Sequence, residues 1–157
     1  MNKISDMINT KFLGERTTDQ PIFAENAKRN FCYEAEIAFV IGKQARNVSE
    51  DDALDYVAGY TIANDVTYRD IQRRTLQWLQ GKTVEGSAPL GPWLITSDEL
   101  TDPSGLEIVL TVNGEERQRS NTENLVFTVQ KLVAFLSNLM TLEPGEPSLI
   151  GPTTLGE

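Results

Sequence analysis

The sequence predicts a β-rich α+β domain built from mixed sheets, and three observations carry that reading. Cys32 to Lys43 and Leu106 to Val112 alternate with a period of two, as pleated strands require. Asn113-Gly114 is a strong type I′ hairpin signal, and Glu115 to Arg119 returns after it. Helical signals are confined to three short stretches.

Residues 1–31 form a separate, polar and weakly patterned N-terminal segment, with loop composition from Gly14 to Asp19. The domain is expected over 32–157. It opens on CYEAEIAFVIGK, which places Glu34 and Glu36 on one strand face, continued by Ala38 and Val40. Ser49 and Asp52 form a capping-box pattern before a short helix to about Asp55. Val57 to Ala63 reads as a second strand, ended by Asn64-Asp65. A helix is expected from Thr67 to roughly Leu79, with Ile71, Thr75 and Trp78 on one side and Gly81 as its C′ residue. Ala88 to Pro92 is a rigid loop that enters a strand at Trp93 to Ile95, and Asp102 to Gly105 is a turn. Val129, Leu132, Val133 and Leu136 fall on one face of a helix capped by Thr128. Pro144-Gly145 breaks the chain, and Pro147 falls where a strand would need its N–H.

The 157 residues make one domain by length, long enough to bury a core, with 39% hydrophobic and 24% charged residues as in ordinary globular chains. A net charge of −9 argues against nucleic acid or an anionic membrane as partner. One cysteine allows no intrachain disulfide and suits a reducing, cytoplasmic location. MNKISDMINTKF lacks the apolar stretch of a signal peptide, and no apolar run approaches the ~20 residues of a membrane span. The sequence has no histidine, which excludes histidine-ligated zinc, a Ser-His-Asp triad and a Cys-His dyad within this chain.

The chemistry is concentrated between residues 34 and 82. A solvated sheet face could carry two glutamates, but the rest of this face is apolar. Buried like charges repel unless a cation lies between them or their pKa values rise. Asp65, at the end of the next strand, is by itself a common turn former, and beside Glu34 and Glu36 it is a candidate third ligand. Three carboxylates make an all-oxygen site that selects hard cations, Mg2+, Mn2+ or Ca2+. Arg69 and Gln72 share a helix face at i, i+3, and Lys82 follows. Each alone suits a solvated surface; together they can bind the oxygens of an anion held on a metal.

Six motifs in this order, YEAEIAFVIGK, YVAGYTIANDVTYRDIQ, QWLQGK, APLGPWLIT, VNGEERQ and MTLEPGE, resemble the fumarylacetoacetate hydrolase family, nearest its 2-hydroxyhepta-2,4-diene-1,7-dioate isomerase branch. The resemblance covers about residues 32–146. It implies a mixed-sheet β-roll of that family's C-terminal-domain type, a homodimer and a divalent metal. It implies Glu34, Glu36 and Asp65 as ligands, Arg69 and Gln72 as substrate-binding residues, and Lys82 as a substrate-binding, catalytic lysine beside them. The implied activity is isomerisation or decarboxylation, or hydrolysis, of a 2-oxo or β-diketo acid of aromatic-acid catabolism through a metal-bound enolate. The absence of histidine weighs against hydrolysis, which needs a base for water. The sequence departs from the family at both ends. Residues 1–31 lack its histidine-bearing segment, Glu146 to Thr153 differs from its closing Gly-Thr-Pro loop, and the sequence stops at Glu157 before the final strands expected of the fold. Those departures leave a second reading, an inactive relative that binds a metal or carboxylate or serves as an interaction subunit.

Overall fold

The computed structural model describes residues 31–151. The expected loop from Gly14 to Asp19, and Pro152 and Thr153 of the altered end segment, lie outside the described residues.

A four-stranded antiparallel sheet organises the chain. Its strands are β2 (Ala35–Ile41), β3 (Val57–Asn64), β5 (Leu90–Thr96) and β8 (Pro147–Ile150), in the order β5-β3-β2-β8. Two smaller pairs flank it: β1 (Phe31–Cys32) with β4 (Thr67–Tyr68), and β6 (Glu107–Val112) with β7 (Glu115–Asn121). The helices are α1 (Arg69–Gln72) and α2 (Val129–Leu139). The expected β-rich α+β fold is present. Its sheets are not mixed, because every ladder among the described strands is antiparallel. Parallel neighbours need a crossover that returns the chain in the same sense; here each neighbour runs back against the last.

Centrally placed, β2 is buried on both sides. Ile37, Phe39 and Ile41 face a core shared with Tyr60 of β3 and with Val129 and Val133 of α2, while Ala38 and Val40 are buried on the other side. That explains the nearly continuous apolar run of its sequence. Fully burying a side chain such as Phe39 or Ile41 contributes about 1.5–3 kcal/mol. Thr128 caps α2, its Oγ1 accepting from the Lys131 N–H at 3.3 Å. Asn113 and Gly114 turn the β6–β7 hairpin at φ of 53° and 81°, as a type I′ turn requires.

Several boundaries differ from the expected ones. The single strand from Cys32 to Lys43 is broken at Tyr33-Glu34, because the Glu34 N–H donates to the Asn64 side chain rather than to a ladder. The helix after Ser49 is a single 3-10 turn, Ala53–Tyr56, although the Ser49 Oγ does accept from the Asp52 N–H at 3.3 Å. The helix from Thr67 to Leu79 does not form as one piece: β4 takes Thr67 and Tyr68, α1 stops at Gln72, and a 3-10 turn covers Trp78–Gly81. Of its expected stripe, Thr75 is exposed and Trp78 is 64% exposed, so there is little surface for it to pack on, and a short helix without packing is marginal. The Thr75 Oγ1 also captures the Gln77 N–H. Gly81 is not a left-handed cap. It is needed because a Cβ there would stand 2.6 Å from the Gln72 Cβ and 2.9 Å from its backbone. Strand β5 begins at Leu90, earlier than expected, with its register shifting against β3 between Tyr60 and Ile62. Pro147 does not prevent a strand, since it opens β8 at the sheet edge, where a missing N–H is tolerated.

Candidate metal centre

Glu34 sits at the bend before β2, and backbone bonds tie it to the far end of β3. Its N–H donates to Asn64 Oδ1 at 3.1 Å, and its carbonyl accepts from the Asp65 N–H at 2.9 Å. Ala35, between the two glutamates, is clamped by Gln118 of β7. Gln118 Oε1 accepts from the Ala35 N–H at 2.9 Å, and its Nε2 donates to the Ala35 carbonyl at 3.3 Å. These bonds bring the side chains of Glu34, Glu36 and Asp65 together at the ends of two paired strands. One carboxylate oxygen of each lies within 4.8 Å of the others.

The cations arrive from the next segment. The short α1 places Arg69 so that Nη2 donates to Glu34 Oε1 at 2.7 Å and Nη1 to Oε1 of the buried Gln72 at 2.9 Å. The close approach at Gly81 packs the following turn on α1 and brings up Lys82. Its Nζ donates to Glu34 Oε2 at 2.8 Å and also to Asp65 Oδ2. Ser87 fixes the lysine's backbone: its Oγ donates to the Lys82 carbonyl at 2.9 Å, and its own carbonyl accepts from the Val66 N–H at 2.9 Å.

Charge is unevenly shared. Glu34 and Asp65 have cationic partners, whereas the Glu36 carboxylate has no hydrogen-bonding partner among the described residues. Burial first, then the Asp65 and Glu34 charges, push its pKa up to about 7 against a smaller lowering by Lys82. For Lys82, burial pulls downward, but the hydrogen bonds to Asp65 and Glu34 outweigh it and the pKa is raised. Arg69 is held charged in the same manner: burial opposes, and the Cys32 and Glu34 side chains more than compensate. Three hard oxygen donors, one without a cation of its own, fit a hard divalent ion.

All six residues singled out in the sequence, Glu34, Glu36, Asp65, Arg69, Gln72 and Lys82, thus belong to one cluster. Sequence reasoning missed their supports: Asn64, read only as the end of a strand; Gln118, a polar residue on the buried side of a hairpin; Ser87; and Cys32, read only as the start of a strand and for its redox state. The period of two marks the inward face of β7 but does not say that an inward glutamine will reach another strand.

The fumarylacetoacetate (FAA) hydrolase C-terminal family matches residues 10–154. Oxaloacetate tautomerase fahd2, mitochondrial, from Xenopus laevis is 46% identical over 133 residues, which is 83% of this chain and 42% of that protein. Among solved structures, 5-carboxymethyl-2-hydroxymuconate delta-isomerase from Mycobacterium smegmatis superposes with a TM-score of 0.74 at 42% identity, covering 78% of this chain and 47% of the other. Fumarylpyruvate hydrolase from Pseudomonas aeruginosa, solved in complex with Mn2+ and pyruvate, gives 0.71 at 36% identity, covering 75% and 52%. The chain spans about half the length of the curated relatives it matches, 42% and 52% of the first two. No helix among the described residues is long and apolar enough to cross a membrane. With a match over most of its length, and relatives that include isomerases, hydrolases and a tautomerase, the chain belongs to the fumarylacetoacetate hydrolase C-terminal family.

Proposed function

We propose that Glu34, Glu36 and Asp65 hold a divalent cation, Mg2+ or Mn2+ before Ca2+, and that the site acts on a small 2-oxo acid by moving a proton or losing CO2 next to the carbonyl. The observation that carries this reading is the convergence of three carboxylates within 4.8 Å, flanked by Arg69, Gln72 and Lys82. The names of the relatives support it. A tautomerase of oxaloacetate and an isomerase of a hydroxymuconate both shift a proton along a 2-oxo or enol acid, and pyruvate, seen with Mn2+ in a third relative, is the simplest 2-oxo acid.

When bound, the cation supplies Lewis-acid stabilisation of negative charge on the substrate's oxygens. The chain's own residues do the rest. Arg69, with donors beyond those used on Glu34 and Gln72, binds the substrate carboxylate. Gln72 holds the guanidinium plane through Nη1 and so sets the direction of that contact. The hydrogen bonds to Asp65 and Glu34 favour the ammonium form of Lys82, which can serve as a donor: it faces charge that develops on the carbonyl oxygen and can deliver a proton there. Decarboxylation breaks the C–CO2− bond with its electron pair left in that stabilised charge, and the carbon is then protonated from water. A proton shift also needs water or a side chain to take the proton from one atom and return it to the other, and hydrolysis needs a base for the attacking water.

The test pairs binding with turnover. Mn2+ titration by electron paramagnetic resonance should give one site per chain, weakened roughly 10- to 100-fold or more in Glu34→Gln. Enol-to-keto conversion and decarboxylation of oxaloacetate with Mn2+ should exceed the rate of Mn2+ alone and fall in Lys82→Ala. Binding of Mn2+ with no rate above the metal background on either reaction would leave a metal- and carboxylate-binding relative instead of an enzyme for this substrate. Absence of Mn2+ binding would remove the reading altogether.

A further inference from the structure

We propose that Gly151 is a positioning residue of the metal centre, whose missing side chain sets where the Glu36 carboxylate stands. This rests on the reading that Glu34, Glu36 and Asp65 take up a divalent cation. Strand β8 pairs with β2 so that Ile150 lies opposite Ile37, and one step further in that register Gly151 lies opposite Glu36. Residues directly opposite in an antiparallel pair project on the same face and compete for the same space. A Cβ at Gly151 would stand 2.6 Å from Glu36 Oε1, 3.1 Å from its Cδ and 3.3 Å from its Cγ.

The fold itself makes no demand for glycine at this place. Gly151 is absent from the positive-φ positions, so its backbone does not call for glycine. It is exposed, and the three nearest atoms a Cβ would meet all belong to Glu36. A clash with the far end of a side chain is relieved cheaply by rotation, so folding tolerates an added methyl. The site does not. To regain ordinary contact the carboxylate must retreat by roughly 0.5–1 Å, which is as far as a ligand set can drift before its geometry is lost. The glycine is therefore required by the position of one oxygen and not by the chain's conformation. That separates stability from metal affinity, and the separation is measurable.

The experiment compares wild type, Gly151→Ala, Glu36→Asp and the double variant by Mn2+ titration, with urea unfolding in chelator alongside. Gly151→Ala is expected to lose roughly 10- to 100-fold in Mn2+ affinity, the usual effect of disturbing a ligand's support, with an unfolding midpoint close to wild type. Glu36→Asp also weakens binding, but its carboxylate is one methylene shorter and clears the methyl. Adding Gly151→Ala to it should then cost nothing further, a non-additivity that a merely structural role would not produce. Wild-type affinity in Gly151→Ala, losses that add in the double variant, or a Gly151→Ala chain that no longer folds would each overturn the inference while leaving the metal reading intact. If wild type takes up no Mn2+, the metal reading fails and this inference with it.

Discussion

Replacing Lys82 by methionine should destabilise the chain in chelator and leave it close to normal in Mn2+. Methionine keeps most of the aliphatic stem and removes the charge, so packing is nearly conserved. The ammonium bridges Glu34 Oε2, at 2.8 Å, and Asp65 Oδ2. Without it, three carboxylates face one another within 4.8 Å, and a pair of unit charges at that distance repels by about 3.5 kcal/mol at an effective dielectric constant of ~20. Two effects reduce the figure. Arg69 still pairs with Glu34 at 2.7 Å, and solvent reaches the side chains, which are 27% exposed for Lys82, 13% for Glu34 and 17% for Asp65. The expected net loss is about 1–3 kcal/mol, between the values for exposed and for buried pairs. It should be read at pH 8, where Glu36 is mostly ionised, as the shift in urea unfolding with EDTA present. A cation that binds only the folded state stabilises wild type and variant alike, by about 2.7 kcal/mol at a hundred times the Kd. In the variant it also relieves the carboxylate repulsion that Lys82 no longer offsets, so it binds the variant more tightly and saturating Mn2+ should restore most of the loss. A variant as stable as wild type in EDTA, or a loss that Mn2+ leaves untouched, would refute the placement of Lys82 among the carboxylates.

Four further outcomes follow from the same geometry. The Glu36 carboxyl, at about 7 against an ordinary 4.5, holds its proton more tightly folded than unfolded, so its contribution to stability is full below about 4.5 and is lost as pH rises through about 7. In chelator, wild type should lose stability across that window and Glu36→Gln should not; equal slopes in urea midpoint against pH would refute this. Arg69→Lys removes the fork that spans Glu34 and Gln72, and should raise KM for a 2-oxo acid by about tenfold or more with Mn2+ affinity little changed, as steady-state kinetics and titration would show. Phe39→Ala, at a position with no exposure, should cost about 3–5 kcal/mol by chemical unfolding. The homodimer expected from the resemblance predicts a sedimenting mass of twice 17.5 kDa at micromolar concentration, and a mass of 17.5 kDa would refute it.

Much of this was legible because it depends on spacing. The alternation from Tyr33 to Ile41 showed which residues point the same way, and hence that Glu34 and Glu36 converge, even though β2 itself begins at Ala35. Asn113-Gly114 and the stripe from Val129 to Leu136 announced the hairpin and the helix for the same reason: a local period has one geometric meaning. The Thr67 to Leu79 stretch misled because its period was helical without a surface to receive it. Amphipathic spacing states what a helix would bury, not whether a partner exists, and Leu76, Trp78 and Leu79 are left exposed. Pro147 misled in the opposite direction, since the rule against proline in strands applies to a central strand and β8 lies at the edge.

The site shows a second limit of sequence reading. Its charged residues announce themselves, but their positions are set by uncharged groups and by missing ones. Asn64 and Gln118 fix the backbone on either side of the Glu34–Ala35 peptide with side-chain bonds that cross from other strands. Gly81 lets the turn bearing Lys82 rest on Gln72, and Gly151 leaves room for an oxygen of Glu36. A glycine read along the chain suggests a turn, yet neither of these has a left-handed backbone. Each is instead an absence of side chain at a contact between segments distant in sequence: Gly81 against α1, Gly151 against β2. The value of such a residue lies in the neighbour it does not touch, so it becomes visible only when both segments are in place. The carboxylates could therefore be named from sequence, whereas what holds them within 4.8 Å of one another could not.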